Sequence, residues 1–152
     1  MKFPLLLKLI KFWPPFWGAG ISVKHFNAEL TDIVVQMKMH FWNKNYVGTH
    51  FGGSLYSMTD PFYMLMLINL LGRNYIVWDK SASIRYRMPA KGVVYARFQL
   101  SHEQLEKIRQ EVRKEQKLEL EFFISITDTD NNLVAEVKKL IYIAQKTENK
   151  SK

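Results

Sequence analysis

Residues 34–41, VVQMKMHF, alternate strictly, with Val35, Met37, Met39 and Phe41 on one side and Val34, Gln36, Lys38 and His40 on the other. Period two over this length predicts a half-buried strand. The preceding ISVKHFNAEL predicts its partner, with the turn in NAELTD. Further on, YIVWDKSASIRYRMP alternates again: Ala82, Ile84, Tyr86 and Met88 point one way, Ser81, Ser83, Arg85 and Arg87 the other. Pro89 and Gly92 make a turn. VVYARFQL then continues with Val94, Ala96, Phe98 and Leu100 in register, and LELEFFISI and LVAEVKKLIYIAQ predict two long strands around TDTDNN. That turn has a faint likeness to a calcium loop, but it lacks the central glycine and closing glutamate, so a hairpin turn is expected.

The helical segments differ in character. DPFYMLMLINLLG is apolar on nearly every side and predicts a buried helix closed by Gly72. Ser101 with Gln104 three places later forms a capping box, opening a charged helix to about residue 116 whose apolar stripe is Leu105, Ile108 and Val112. Residues 4–13 predict a short amphipathic helix begun by Pro4 and ended by Pro14-Pro15. It can dock on the core or lie on a membrane surface; its thin two-lysine polar face favours docking. Long antiparallel strands around one very apolar helix give an α+β fold. The whole chain, 1–152, reads as one domain, with an N-terminal helix and turn over 1–20 and a solvated tail over 146–152.

With 152 residues, 47% of them apolar, the chain can build a packed core. The absence of cysteine excludes disulfides, thiolate zinc sites and a cysteine nucleophile. His25, His40 and His102 show no metal-ligand spacing, so no metal site is expected. The net charge of +8 points to anionic partners: nucleic acid, lipid headgroups or phosphorylated small molecules. No nucleic-acid recognition motif accompanies it, and the aromatics fall in apolar runs, so nucleic acid is not expected. The longest uncharged apolar run, 61–72, is too short to cross a bilayer. Lys8 and Lys11 interrupt the N-terminal apolar stretch and no small-residue cleavage site follows, so a signal peptide is not expected; the lack of cysteine leaves the redox compartment open, with a cytoplasmic setting as the default.

Gly52 and Gly53 stand just ahead of the apolar block. At a helix start, glycine lets a carbonyl or phosphate approach unpaired amides closely. Asp60, two turns on, could activate water, giving the makeup of a thioester-hydrolysing site. The bland alternative is a loop followed by Asp60 as helix cap with Pro61 in the first turn. If the helix instead runs through from Gly53, Pro61 should kink it.

The ordered set of a strand, Asn45, Gly52-Gly53, a buried helix bearing Asp60, and then WDKSASIRYRMPAKG resembles the hotdog fold, most closely acyl-CoA thioesterases of the phenylacetyl-CoA thioesterase type, over residues 27–144. The resemblance implies a curled antiparallel sheet wrapped around one long buried central helix. It implies a homodimer, or dimers paired into tetramers, with the site at the interface. Gly53 would donate its N–H to the thioester carbonyl, Asn45 would orient, and Asp60 of the other chain would act as general base. Coenzyme A would enter as part of the substrate, with no further cofactor. Two positions depart from the family: Phe51 stands where it has histidine, with His50 one place earlier, and Asp79 stands where some relatives carry a hydroxyl.

Other substrate-binding candidates follow. His50 and Phe51 flank the glycine turn, with Gly52 beside them, and His50 is equally readable as a structural loop histidine. Ser81 and Ser83 lie just past Asp79. Arg85, Arg87 and Lys91 could meet coenzyme A phosphates or simply form a solvated sheet face. Phe62, Tyr63, Met64 and Met66 could line an acyl tunnel or belong to the core. An acyl thioester hydrolase is the leading reading. A non-catalytic hotdog protein that binds acyl-CoA, fatty acid or lipid in the same cleft is the alternative.

Overall fold

The computed structural model describes residues 2–146, so the expected tail lies, beyond Lys146, outside the described residues. Six antiparallel strands form one sheet in the order β1-β2-β4-β5-β6-β3. These are β1 (Ile21–Phe26), β2 (Asp32–Lys38), β3 (Tyr75–Tyr86), β4 (Val93–Gln99), β5 (Lys117–Asp128) and β6 (Leu133–Gln145). Alternation sets the faces: Val35 and Met37 of β2 and Val94, Ala96 and Phe98 of β4 point inward and are buried. β2 stops at Lys38 rather than continuing to Phe41, because the Asn43 side chain accepts the His40 N–H at 2.7 Å and turns the chain. Phe41 is consequently 82% exposed instead of sharing the face of Val35 and Met37.

Helices cover the inner face. The charged helix, α5 (His102–Glu115), carries both halves of the Ser101–Gln104 capping box and buries Leu105, Ile108 and Val112. The expected single central helix is two helices, α3 (Gly52–Ser57) and α4 (Phe62–Leu71). Pro61 is the cause. It has no N–H to offer the Ser57 carbonyl, which instead accepts from Asp60 N–H in a tighter turn at 3.1 Å. α4 resumes past the proline and buries Phe62, Tyr63, Met66 and Leu67 in the core, while Met64 is partly buried against it. The core reading therefore holds for these residues. Between β5 and β6, Asp128 Oδ1 accepts the N–H groups of Asp130 and Asn132 at 2.9 Å each, closing a hairpin turn.

At the N-terminus, α1 (Phe3–Leu9) tightens into a 3₁₀ turn over Ile10–Phe12, and a second helix follows, α2 (Pro14–Ala19). Pro14 and Pro15 end one helix and also start the next, since the first turn needs no N–H from them. Leu7, Ile10 and Phe16 are buried, with Phe16 packed 6.1 Å from the Phe62 ring of α4.

Candidate active site

Loop 39–51 delivers the glycine pair. Asn45 Oδ1 accepts the Val47 and Thr49 N–H groups at 3.1 and 2.9 Å, and its Nδ2 donates to Thr49 Oγ1 at 2.8 Å and the His50 carbonyl at 3.3 Å. All its polar capacity is spent inside the loop, so Asn45 shapes the glycine turn. His50 is buried and ties the loop to the turn before β4: its N–H donates to the Ala90 carbonyl and its Nε2 to the Gly92 carbonyl, each at 2.9 Å. Nε2 therefore carries the proton, and Nδ1 is left buried as an acceptor without a partner. Burial pushes the ring's pKa below its ordinary 6.5, which the Gly92 carbonyl only partly offsets.

The glycine pair answers to two aromatic rings. A Cβ on residue 52 would stand 2.8 Å from the Tyr86 hydroxyl, and one on residue 53 would stand 2.9 Å from the Phe51 ring. Neither amide, at the start of α3, meets an acceptor among the described residues. A cavity of about 640 Å³ opens here, lined by Asn45, Thr49, His50 and Gly52 on one side and residues 86–91 on the other. Arg87 and Lys91 give it a basic rim.

Asp60 sits in the break between α3 and α4 and does not cap α4, whose start has no side-chain cap. Its carboxylate is held by Lys139, a wholly buried lysine on β6. Lys139 Nζ donates to Asp60 Oδ1 at 3.1 Å, to the Asp60 carbonyl at 2.5 Å and to Asp79 Oδ2 at 2.6 Å. The Tyr56 hydroxyl adds a 3.3 Å bond to Asp60 Oδ1. Burial, then the Asp60 charge, raise the Tyr56 pKa, so it stays a donor. All side-chain bonds to Asp60 fall on Oδ1; Oδ2 has none among the described residues, and the side chain is half exposed. Asp79 is pushed above its usual pKa by burial and pulled back by Lys139. Its Oδ1 is buried without a partner.

A bulge organises β3. Asp79 pairs with Ile141 and Ser81 with Leu140, leaving Lys80 extra. Asp79 thereby shares the inner face with Ala82, Ile84 and Tyr86, which uninterrupted alternation would forbid. Ser81, Ser83 and Arg85 are exposed, away from the cavity; Ser83 and Arg85 border an outer hollow beside Phe123 and Lys138. Arg87 bonds Glu136 at 2.6 Å while also lining the cavity. Of the sequence-derived site residues, the structure thus gathers Asn45, His50, Gly52, Arg87 and Lys91 at one cavity, with Phe51 and Gly53 adjoining. Asp60 does not line that cavity within the chain. Sequence reading missed Lys139, and the available signal was a lysine at an inward position of a strictly alternating strand.

A curled six-stranded antiparallel sheet packed on helices that begin at a glycine pair is the hotdog fold. Within that class, residues 5–143 match the family described as a domain of unknown function, DUF4442, and the chain belongs to that family. Comparison with curated proteins gave no match. Among solved structures, a Pseudomonas aeruginosa protein of unknown function described as a probable thioesterase superposes with a TM-score of 0.85 at 18% identity, over 96% of this chain and 97% of that one. A thioesterase from Haemophilus influenzae gives 0.69 at 15% identity, over 99% and 96%. A hypothetical thioesterase from Streptococcus pneumoniae with coenzyme A gives 0.60 at 16% identity, over 91% and 99%. At these identities the likeness is one of fold.

Proposed function

We propose that the protein hydrolyses an acyl thioester, an acyl-CoA, in a cleft assembled from two copies of the chain. The observation that carries this reading is the Asp60 carboxylate, pinned through Oδ1 by a buried ammonium while Oδ2 stays open to receive a proton. Gly53 N–H, shaped by the Asn45 turn, would polarise the thioester carbonyl. Water would attack that carbon as Asp60 takes its proton; the C–S bond then breaks and the proton passes to the leaving thiolate. Because Asp60 stands apart from the glycine-turn cavity of its own chain, a homodimer supplies it across the interface. Arg87 and Lys91 at the rim suit the coenzyme A phosphates. Asp60→Asn should lower thiol release from an acyl-CoA panel by about 100-fold or more, the usual worth of a general base. Equal rates in variant and parent would refute the reading.

One observation favours a second reading. The Phe51 ring lies directly against Gly53, at the position where the hotdog thioesterases the sequence resembles carry histidine. A protein that binds acyl-CoA, fatty acid or lipid without turnover would show complexes by native mass spectrometry and no thiol release.

A further inference from the structure

Five of the ten aromatic side chains that are more than half exposed among the described residues lie on two adjoining segments. Phe12, Trp13 and Trp17 on the N-terminal helices, and Phe41 and Trp42 at the tip of the following loop, are each more than half exposed. The two segments touch: Asn43 Nδ2 donates to the Ala19 carbonyl at 2.9 Å, and Pro14, Pro15 and Trp42 share a hollow of about 410 Å³ with Lys44. Three of the four tryptophans of the chain lie here.

Charge separates this surface from an ordinary sticky patch. Residues 1–28 and 33–59 contain no aspartate or glutamate. Lys2, Lys8, Lys11 and Lys44 punctuate the aromatics, and none pairs with a carboxylate among the described residues. Leu7, Ile10 and Phe16 bolt the segment to the core, so the outer rings are presented in a fixed arrangement. We propose that this face docks on a bilayer surface rich in anionic lipid, with the aromatic rings at the headgroup–acyl boundary and the four lysines on lipid phosphates. Tryptophan prefers that boundary, having an apolar body and a polar N–H, and lysine extends its stem along apolar surface to keep its charge in the headgroups. A second copy of the chain is disfavoured as occupant, since an isologous contact would set these lysines against themselves. Among the described residues no helix is long and apolar enough to cross a membrane, so the attachment is peripheral.

The test uses the full chain and vesicles of phosphatidylcholine with about one-third phosphatidylglycerol, read by co-sedimentation and by quenching of tryptophan fluorescence with brominated lipid. Binding and quenching are expected on these vesicles, with at least tenfold weaker binding to pure phosphatidylcholine. Phe12→Ala/Trp17→Ala should weaken binding at least tenfold, and so should Lys8→Glu/Lys11→Glu; all four sites are exposed, and an unchanged circular dichroism spectrum confirms folding. Failure to sediment with anionic vesicles at low salt overturns the proposal, as does undiminished binding by both variants. So does self-association or nucleic-acid retention abolished by the same substitutions without any vesicle binding. Thiol release from soluble acyl-CoA by the variants stays at the parent level, so this outcome is separable from that of the Asp60 test.

Discussion

Replacing Lys139 by methionine keeps most of the side-chain volume and removes one buried charge. Among the described residues the ammonium is the sole side-chain partner of Asp79 and one of two for Asp60 Oδ1. Asp60 is half exposed, so water can replace what it loses; Asp79 is only 22% exposed and would retain no partner on either oxygen. Breaking a buried pair from one side costs about 3–5 kcal/mol, and the residual exposure of Asp79 places the expected loss near the lower end at neutral pH. The pH dependence is diagnostic. Asp79 already has a folded pKa above 3.8, so between that value and the folded one the native state binds more protons than the unfolded chain. Stability therefore falls as pH rises through this window. Without Lys139 the folded pKa climbs further, the window widens and the fall deepens. Urea unfolding followed by circular dichroism should show the deficit of Lys139→Met shrinking to about 1 kcal/mol in acid, where Asp79 is neutral, and growing toward pH 7. Lys139→Met/Asp79→Asn should recover most of the loss at neutral pH. A deficit constant from acid to neutral pH, with no recovery in the double variant, would falsify this account of the buried lysine.

His50→Gln should cost about 1–2 kcal/mol through the bond to Gly92. It should also flatten the acid limb of the stability profile. The His50 folded pKa lies below 6.5, so the unfolded chain protonates first and the parent loses stability as pH falls from 6.5 toward the folded value; a parent profile without that slope would refute the assignment. Gly52→Ala meets only the far end of half-exposed Tyr86, so its stability should stay within about 1 kcal/mol of the parent, and adding Tyr86→Ala should remove any strain; a loss several times larger in urea unfolding would mean the ring is fixed. Phe16→Ala should cost about 3–5 kcal/mol, because the ring is buried against Phe62; thermal unfolding unchanged from the parent would show that the N-terminal helices are dispensable to the core.

The fold was readable because it is written in periods. Alternation in residues 94–100 and the capping box at Ser101 name their own structures, and Pro61 announced a disturbance whose extent, a break instead of a kink, depends on the Ser57 carbonyl finding Asp60 N–H. The site was less readable. Asn45, the glycines and Asp60 stood out by residue type and resemblance, yet nothing local states that Tyr86 closes over Gly52. Lys138 and Lys139 differ in the sequence only by their phase in the alternation, yet one pairs with Glu121 outside and the other is sealed inside. Asp79 was hidden for another reason: an extra residue in a strand leaves no periodic trace, so the alternation read from Ser81 onward does not carry back across the bulge to Asp79.

That extra residue couples two distant demands. Asp79 must reach inward to grip the ammonium, and Tyr86, seven positions later, must also reach inward to lie over Gly52. An odd spacing puts them on opposite sides of any regular ribbon, so Lys80 acts as a half-step that brings both into phase. Shortening the strand by that one lysine makes the spacing even, so a regular ribbon should keep both side chains where they are.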